Sequence, residues 1–422
     1  MSSMKEKTER TFPKTFLWGA GAGSYQVEGG GKNQWTKWEA ENAKSLANQS
    51  SYHYEDLPSW SSVQRLAKLP ANYVSGSAVK HLEQYEQDFD LLAKLNMNAY
   101  KFSIEWARIE PSQGVWDPAA INHYKKYIKA LKSRGIEPVV TLFHYTLPDW
   151  FAELGGFERR SNVDLFIRFV DQVMEEFGAH LKYVITIQTP NIYIQNSYLE
   201  GIWPPGLKSK ATASKVFLNL ARAHNKAYGV IKQHQARAKV GVAYSSSFVY
   251  PGDDAVLSRV TARYLQFSSD DVFLGRVVKK SDFIGVADSV SDRVYGYRVH
   301  NPEGVMSDTG EGFQPENIEH VINRLHDKYK KPILITDNGI ADGDDALRKE
   351  WIQKTVLAIQ NSMKDGAKVV GYIHKSLTDG FEWTYGRWPR YGLAQINYRT
   401  YERTLRESAV WYGRALKKLR RL

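Results

Sequence analysis

Asp337, Lys375, Asp288 and Thr189 each stand at or just beyond the end of a short apolar run in this sequence. A lysine amine can form a Schiff base with a carbonyl, as retro-aldol cleavage requires. An aspartate can take a proton from carbon while a lysine or threonine donor holds the oxygen that gains charge. The same lysine can instead stay an ammonium paired with Asp337 or Asp288, and the residue types leave both readings open. A threonine hydroxyl titrates far too high to act as a general acid. There is no HExxH, no EF-hand loop, no Cys/His cluster and no cysteine at all, so neither a metal centre nor a disulfide is expected, and no cofactor is implied.

Eight such apolar runs occur, at 16–19, 99–103, 138–142, 183–186, 240–243, 283–286, 333–336 and 369–373. Short runs without strong alternation are what parallel strands buried on both faces look like. Helical repeats separate them. Leu82, Tyr85, Phe89 and Leu92 share a face, as do Ile121, Tyr124, Ile128 and Leu131 behind the cap Asp117 and Pro118. Ser161 and Asp164 read as a capping box ahead of Ile167, Val170 and Met174. Later repeats are Ile318, Val321, Leu325; Trp351, Val356, Ile359; and Ala409, Tyr412, Leu416.

Eight strand–helix units in series predict an α/β fold, a single (β/α)8 TIM barrel over 12–422, with 1–11 a polar tail. The polar, Ser/Tyr-rich stretch 43–79 reads as a long loop over the barrel top. The competing fold is an open nucleotide-binding sheet. The glycines at 19, 21 and 23 do not fit GxGxxG and lead to Gln26-Val27-Glu28-Gly29, which does not read as a helix. In a barrel, chemistry sits at the carboxyl ends of the strands.

Twelve Trp and 25 Tyr point to a large core or to an aromatic-lined cleft for flat ligands such as sugars. The net charge of +11 reads as a solvated basic surface, since no nucleic-acid module accompanies it. The basic residues at 417–421 read as a helix end. The polar start is no signal peptide, and no apolar run reaches the ~18–20 residues of a membrane helix. The expectation is a cytoplasmic protein acting on a small molecule or a sugar, with neither a nucleic-acid nor a membrane partner.

The strand ends carry longer motifs. Phe16-Leu17-Trp18-Gly19 runs on to Gln26-Val27-Glu28-Gly29. Lys101-Phe102-Ser103-Ile104-Glu105-Trp106 is followed by Arg108-Ile109, and Thr141-Leu142-Phe143-His144 by Leu147-Pro148. Phe381-Glu382-Trp383 and Trp388-Pro389-Arg390-Tyr391-Gly392-Leu393 come late. In order and spacing these resemble the family 1 glycoside hydrolases, from about Phe12 to the C-terminus. The resemblance implies a barrel descended from a β-glycosidase. It implies that Gln26 and His144 hold sugar hydroxyls, that Glu382 and Trp383 grip the sugar, and that Lys101 replaces the arginine that steadies the nucleophile.

The departures from the pattern are as informative. The family's acid/base motif Thr-x-Asn-Glu-Pro reads Thr186-Ile187-Gln188-Thr189-Pro190, and the nucleophile motif Ile-Thr-Glu-Asn-Gly reads Ile335-Thr336-Asp337-Asn338-Gly339. Ala287-Asp288-Ser289 stands for Asn-Tyr-Tyr, Glu311 for a frequent Trp, and Lys375 for the Trp that opens the last strand-end motif. Loss of acid–base help costs roughly 10²–10⁴ in rate. Withdrawing the nucleophile by one methylene costs on the order of 10². Ordinary hydrolysis is therefore expected to be lost unless Asp288 or Glu311 supplies a displaced carboxylate. The departures cluster at strand ends four, six, seven and eight, which points to a pocket rebuilt, by evolution or by design and more in keeping with design, for amine or proton-transfer chemistry centred on Lys375 and Asp337. The alternatives are a sugar-binding barrel without turnover and a residual β-glucosidase.

Overall fold

The computed structural model describes residues 12–287, 291–300 and 304–421. The expected tail at 1–11 and the candidate Asp288 lie outside the described residues. Eight parallel strands close a barrel: β1 (Leu17–Gly21), β2 (Ala99–Ser103), β3 (Glu137–Phe143), β4 (Tyr183–Gln188), β5 (Lys239–Ser245), β6 (Phe283–Ala287), β7 (Ile333–Asn338) and β8 (Val369–Lys375). Each pairs with its neighbours in sequence, and β8 closes on β1, with Gly21 opposite Lys375. All eight grew from the apolar runs expected to form them. The runs supply side chains that fill the barrel from within, among them Leu17, Val139, Ile185, Phe283, Leu334 and Ile373. Alternate residues such as Trp18, Val140, Val184, Val286 and Ile335 face the helical shell.

The helical repeats fold as expected over His81–Lys94, Pro118–Ser133, Ile318–Tyr329, Arg348–Lys364 and Glu407–Arg421. Asp117 caps the second of these by accepting from the backbone N–H groups of Ala119 and Ala120. Three expectations need correction. The capping box at Ser161 and Asp164 does not form, because a 3₁₀ turn over Arg160–Asn162 delays the helix until Val163 and no side chain caps it. A short helix, Ser24–Glu28, does follow the glycine-rich turn after β1, although the closed barrel still excludes an open nucleotide-binding sheet.

The third correction concerns 43–79, which is no irregular loop. Helix Gln34–Tyr54 occupies its start, and Trp60–Ala67 and a 3₁₀ turn Pro70–Tyr73 follow. The long helix buries Trp35 and Glu39 nearer its start, and within this stretch its buried residues are Ala43, Ala47 and Ser50. A buried face of such small residues gives little apolar signal in the sequence.

Candidate active site

The sequence-expected residues converge on one cavity at the carboxyl ends of the strands. It is lined by Gln26, His144, Gln188, Asp337, Lys375, Glu382 and Trp383, together with Tyr145, which the sequence did not single out. The free space is small, ≈ 30 Å³ for the centres of water molecules. Two expected residues adjoin the cavity without lining it. Glu311 is exposed on a loop, where its charge acts on Tyr391 and Tyr385, and Thr189 is fully buried and bonded to Tyr145.

Each lining side chain is placed by local backbone. Gln26 sits on the short helix after β1. Its Nε2 donates to Glu382 Oε1 at 3.1 Å, its Oε1 accepts from the Gly23 N–H at 3.1 Å, and its carbonyl accepts from the Phe381 N–H at 2.8 Å. The β1 end is thereby stitched to the last loop. Gly23 is required here: a Cβ at that position would lie 2.6 Å from His144 Nδ1. His144 follows β3 and leaves its buried Nδ1 without a hydrogen-bond partner. Burial, reinforced by the positive charges of Lys101 and Lys375, holds His144 well below the usual histidine range, so its ring is neutral.

Trp383 closes the cavity from the side of an aromatic nest. Its ring lies 4.8 Å from Trp35, 5.0 Å from Tyr145, 5.7 Å from Trp203 and 5.8 Å from His144. Tyr145, Thr189 and Trp383 all adopt positive φ, at 68°, 30° and 52°. Left-handed backbone at non-glycine residues is uncommon and clusters at functional sites.

Gln188 and Asp337 come after irregularities in register, between Ile185 and Gln188 on β4 and between Ile335 and Asp337 on β7. Such breaks in pairing re-aim side chains near active sites. Both residues turn toward one point. Asp337 Oδ2 accepts from Gln188 Nε2 at 2.8 Å and from the ammonium of fully buried Lys101. Gln188 Oε1 is buried and unpartnered. Thr189, one residue further on, is hydrogen-bonded through its hydroxyl to the hydroxyl of Tyr145.

Lys375 ends β8. Its Nζ lies 4.3 Å from the centroid of the Tyr391 ring and 3.8 Å from Glu382 Oε2, with about a fifth of the side chain exposed. An aromatic face and a carboxylate are both neighbours that suit an ammonium. Tyr391 was within a quoted motif but carried no signal of its own. Among the described residues no group of three or more His, Cys, Asp or Glu is placed to hold a metal ion. The arrangement offers two carboxylates, a neutral imidazole, two amides and an amine around a space against an indole face.

The profile described as Glycosyl hydrolase family 1 matches residues 8–290 and 272–420. The chain belongs to this family. Beta-glucosidase A of Acetivibrio thermocellus is 26% identical over 464 residues, covering 96% of this chain and 98% of that protein. Among solved structures, the beta-glycosidase from Pyrococcus horikoshii is 31% identical, covering 97% of this chain and 95% of its own, with a TM-score of 0.84. The beta-glucosidase from Thermotoga maritima in complex with glucoimidazole shares the fold at 22% identity and a TM-score of 0.85, with 97% of this chain and all of that chain covered. A family 1 barrel is thus the setting for the cavity and its residues.

Proposed function

We propose that this family 1 barrel binds the sugar of a β-linked glycoside at its mouth and cleaves the bond far more slowly than a retaining glycosidase. Gln26, His144, Glu382 and Trp383 serve as the sugar-holding set. They are pre-positioned by burial and by one another around the cavity.

The observation that carries the second half of the proposal is Thr189. It takes the place of the acid/base, and it is a fully buried hydroxyl tied to Tyr145. Retaining cleavage needs two carboxyls about 5–5.5 Å apart, one to attack and one to protonate the leaving oxygen. Of the carboxylates that line the cavity, Glu382 is engaged by Gln26 and lies beside Lys375, and Asp337 is engaged by Lys101 and Gln188. The test is calorimetry with glucose and cellobiose alongside an assay of cellobiose hydrolysis. Sugar binding with negligible hydrolysis is expected. Rapid, pH-dependent cellobiose cleavage would overturn the reading.

A second reading rests on the accessibility of Lys375, which lines the cavity and is partly exposed. In it, the neutral Lys375 amine condenses with an aldehyde or ketone to a Schiff base with release of water, and Asp337 moves the proton, with Asp288 as a further candidate. It requires the amine to leave Glu382 and Tyr391 and lose a proton. Borohydride reduction in the presence of carbonyl compounds, followed by mass spectrometry of the Lys375 peptide, separates the two readings. An adduct supports the amine mechanism and its absence across a panel of aldehydes rejects it.

A further inference from the structure

Helix Val256–Gln266 has its apolar side facing outward. Its buried residues are the small Ser258 and Ala262. Val256, Val260 and Tyr264, four apart and so on one face, are exposed by 69%, 57% and 66%, with Leu257 beside them and Phe267 one turn on. A surface helix of a globular protein ordinarily turns its apolar stripe to the core. The reversal extends to the hairpin formed by Ser291–Tyr295 and Arg298–His300, where Tyr295, Tyr297 and Val299 are also exposed.

The two elements form one surface. The Gly296 N–H donates to Ser258 Oγ at 2.7 Å, and Leu257 Cδ2 lies 3.8 Å from where a Cβ on Gly296 would stand. Eight of the twenty large apolar side chains that are exposed among the described residues fall in this stretch. Exposed Arg259, Arg263 and Arg298 rim it, while the exposed Asp253 and Asp254 lie ahead of the helix start. The strand Phe248–Pro251, which pairs with Ser291–Tyr295, leaves the carboxyl end of β5, so the surface belongs to the mouth side of the barrel.

We propose that this face seats the protein on an anionic lipid surface. Contiguous exposed apolar area with a polar rim marks a partner. Aromatic and aliphatic side chains flanked by arginines are the composition that enters a headgroup layer without spanning it. Charge selects the occupant. A second copy would set one chain of net charge +11 against another, whereas anionic headgroups supply the opposite sign. The absence of a spanning helix among the described residues does not bear on this, because the face lies on the surface instead of crossing. The inference is independent of what the cavity binds.

Flotation of the full chain with phosphatidylglycerol and with phosphatidylcholine vesicles tests it. Recovery with the anionic vesicles at low salt is expected, falling steeply as salt is added and much weaker with phosphatidylcholine. Val260→Glu with Tyr264→Glu, and separately Arg259→Glu with Arg263→Glu, should each lower anionic-vesicle recovery by roughly tenfold or more with thermal unfolding unchanged. No recovery on phosphatidylglycerol, or equal recovery for wild type and both variants, would overturn the proposal. So would a dimer in sedimentation velocity that Val260→Glu dissociates, since the face would then belong to a second copy.

Discussion

Gln26, His144, Glu382 and Trp383 come from the segments that follow β1, β3 and β8, and they are held by neutral contacts and one amide–carboxylate bond: Gln26 bridges Glu382 and Gly23, and Trp383 packs beside His144. Gln188, Thr189 and Asp337 come from the ends of β4 and β7, and there a fully buried cation enters: Lys101 and Gln188 donate to Asp337, Tyr145 pairs with Thr189, and Gln188 Oε1 stays unpartnered. On the proposed reading the first side receives sugar hydroxyls. On the second, the charge of Asp337 is met by Lys101. On the proposed reading, recognition and bond cleavage are separable properties of this barrel, and the second can be lost while the first is kept.

The sharpest way to press that contrast is to restore both carboxylates. Thr189→Glu with Asp337→Glu should raise aryl β-glucoside hydrolysis about 10⁴-fold over the unmodified chain, read as nitrophenol release. A gain below tenfold would mean that the receiving side is not in register with the repaired one. Next in size is Lys101→Met, which leaves buried Asp337 without its cation and should cost about 3–5 kcal/mol in denaturant unfolding. Adding Asp337→Asn should recover most of that loss.

Glu382→Ala acts on the receiving side and should weaken glucose binding by about 1.5–3 kcal/mol in calorimetry, with hydrolysis negligible before and after. Thr189→Asn is smaller still. A β-branched residue at φ 30° is strained and asparagine tolerates that region better, so stability should rise by about 1 kcal/mol. The smallest effect expected is none. Because His144 is held well below its ordinary value of 6.5, it stays neutral as pH falls from 8 to 6, and sugar affinity should be flat across that window. A fall in affinity centred near pH 6.5 would place a charged imidazole against the ligand.

The barrel was legible because each strand has a continuous apolar centre. Its strand ends were less so: Gln188, Asn338 and Lys375 belong to β4, β7 and β8 although they are polar, since polar groups at a strand's carboxyl end find protein partners instead of solvent, Gln188 on Asp337 and Asn338 on Trp351, Thr355 and Tyr372. The helix Gln34–Tyr54 was hidden by Ala43, Ala47 and Ser50, a buried face too small and too polar to register as periodic apolar character. The cavity's membership could be read from motifs at strand ends, with three exceptions in the described residues, the first being Thr189, which is buried outside the lining. Glu311 has the chemistry but sits exposed on its loop, and Tyr145 was overlooked because the residue after His144 turns inward only through a left-handed backbone.

The outward-facing helix and its hairpin arise from the chain that follows β5 and β6, whereas Gln26, His144, Glu382 and Trp383 of the cavity arise from the segments after β1, β3 and β8. These two sectors share the barrel as a frame but draw on separate stretches of polypeptide. The pair of surface stretches 248–267 and 291–300, taken without the barrel strand β6 between them, is therefore a transferable cassette. Grafted onto a relative, it should carry its surface behaviour along and leave the recipient's ligand preference as it was.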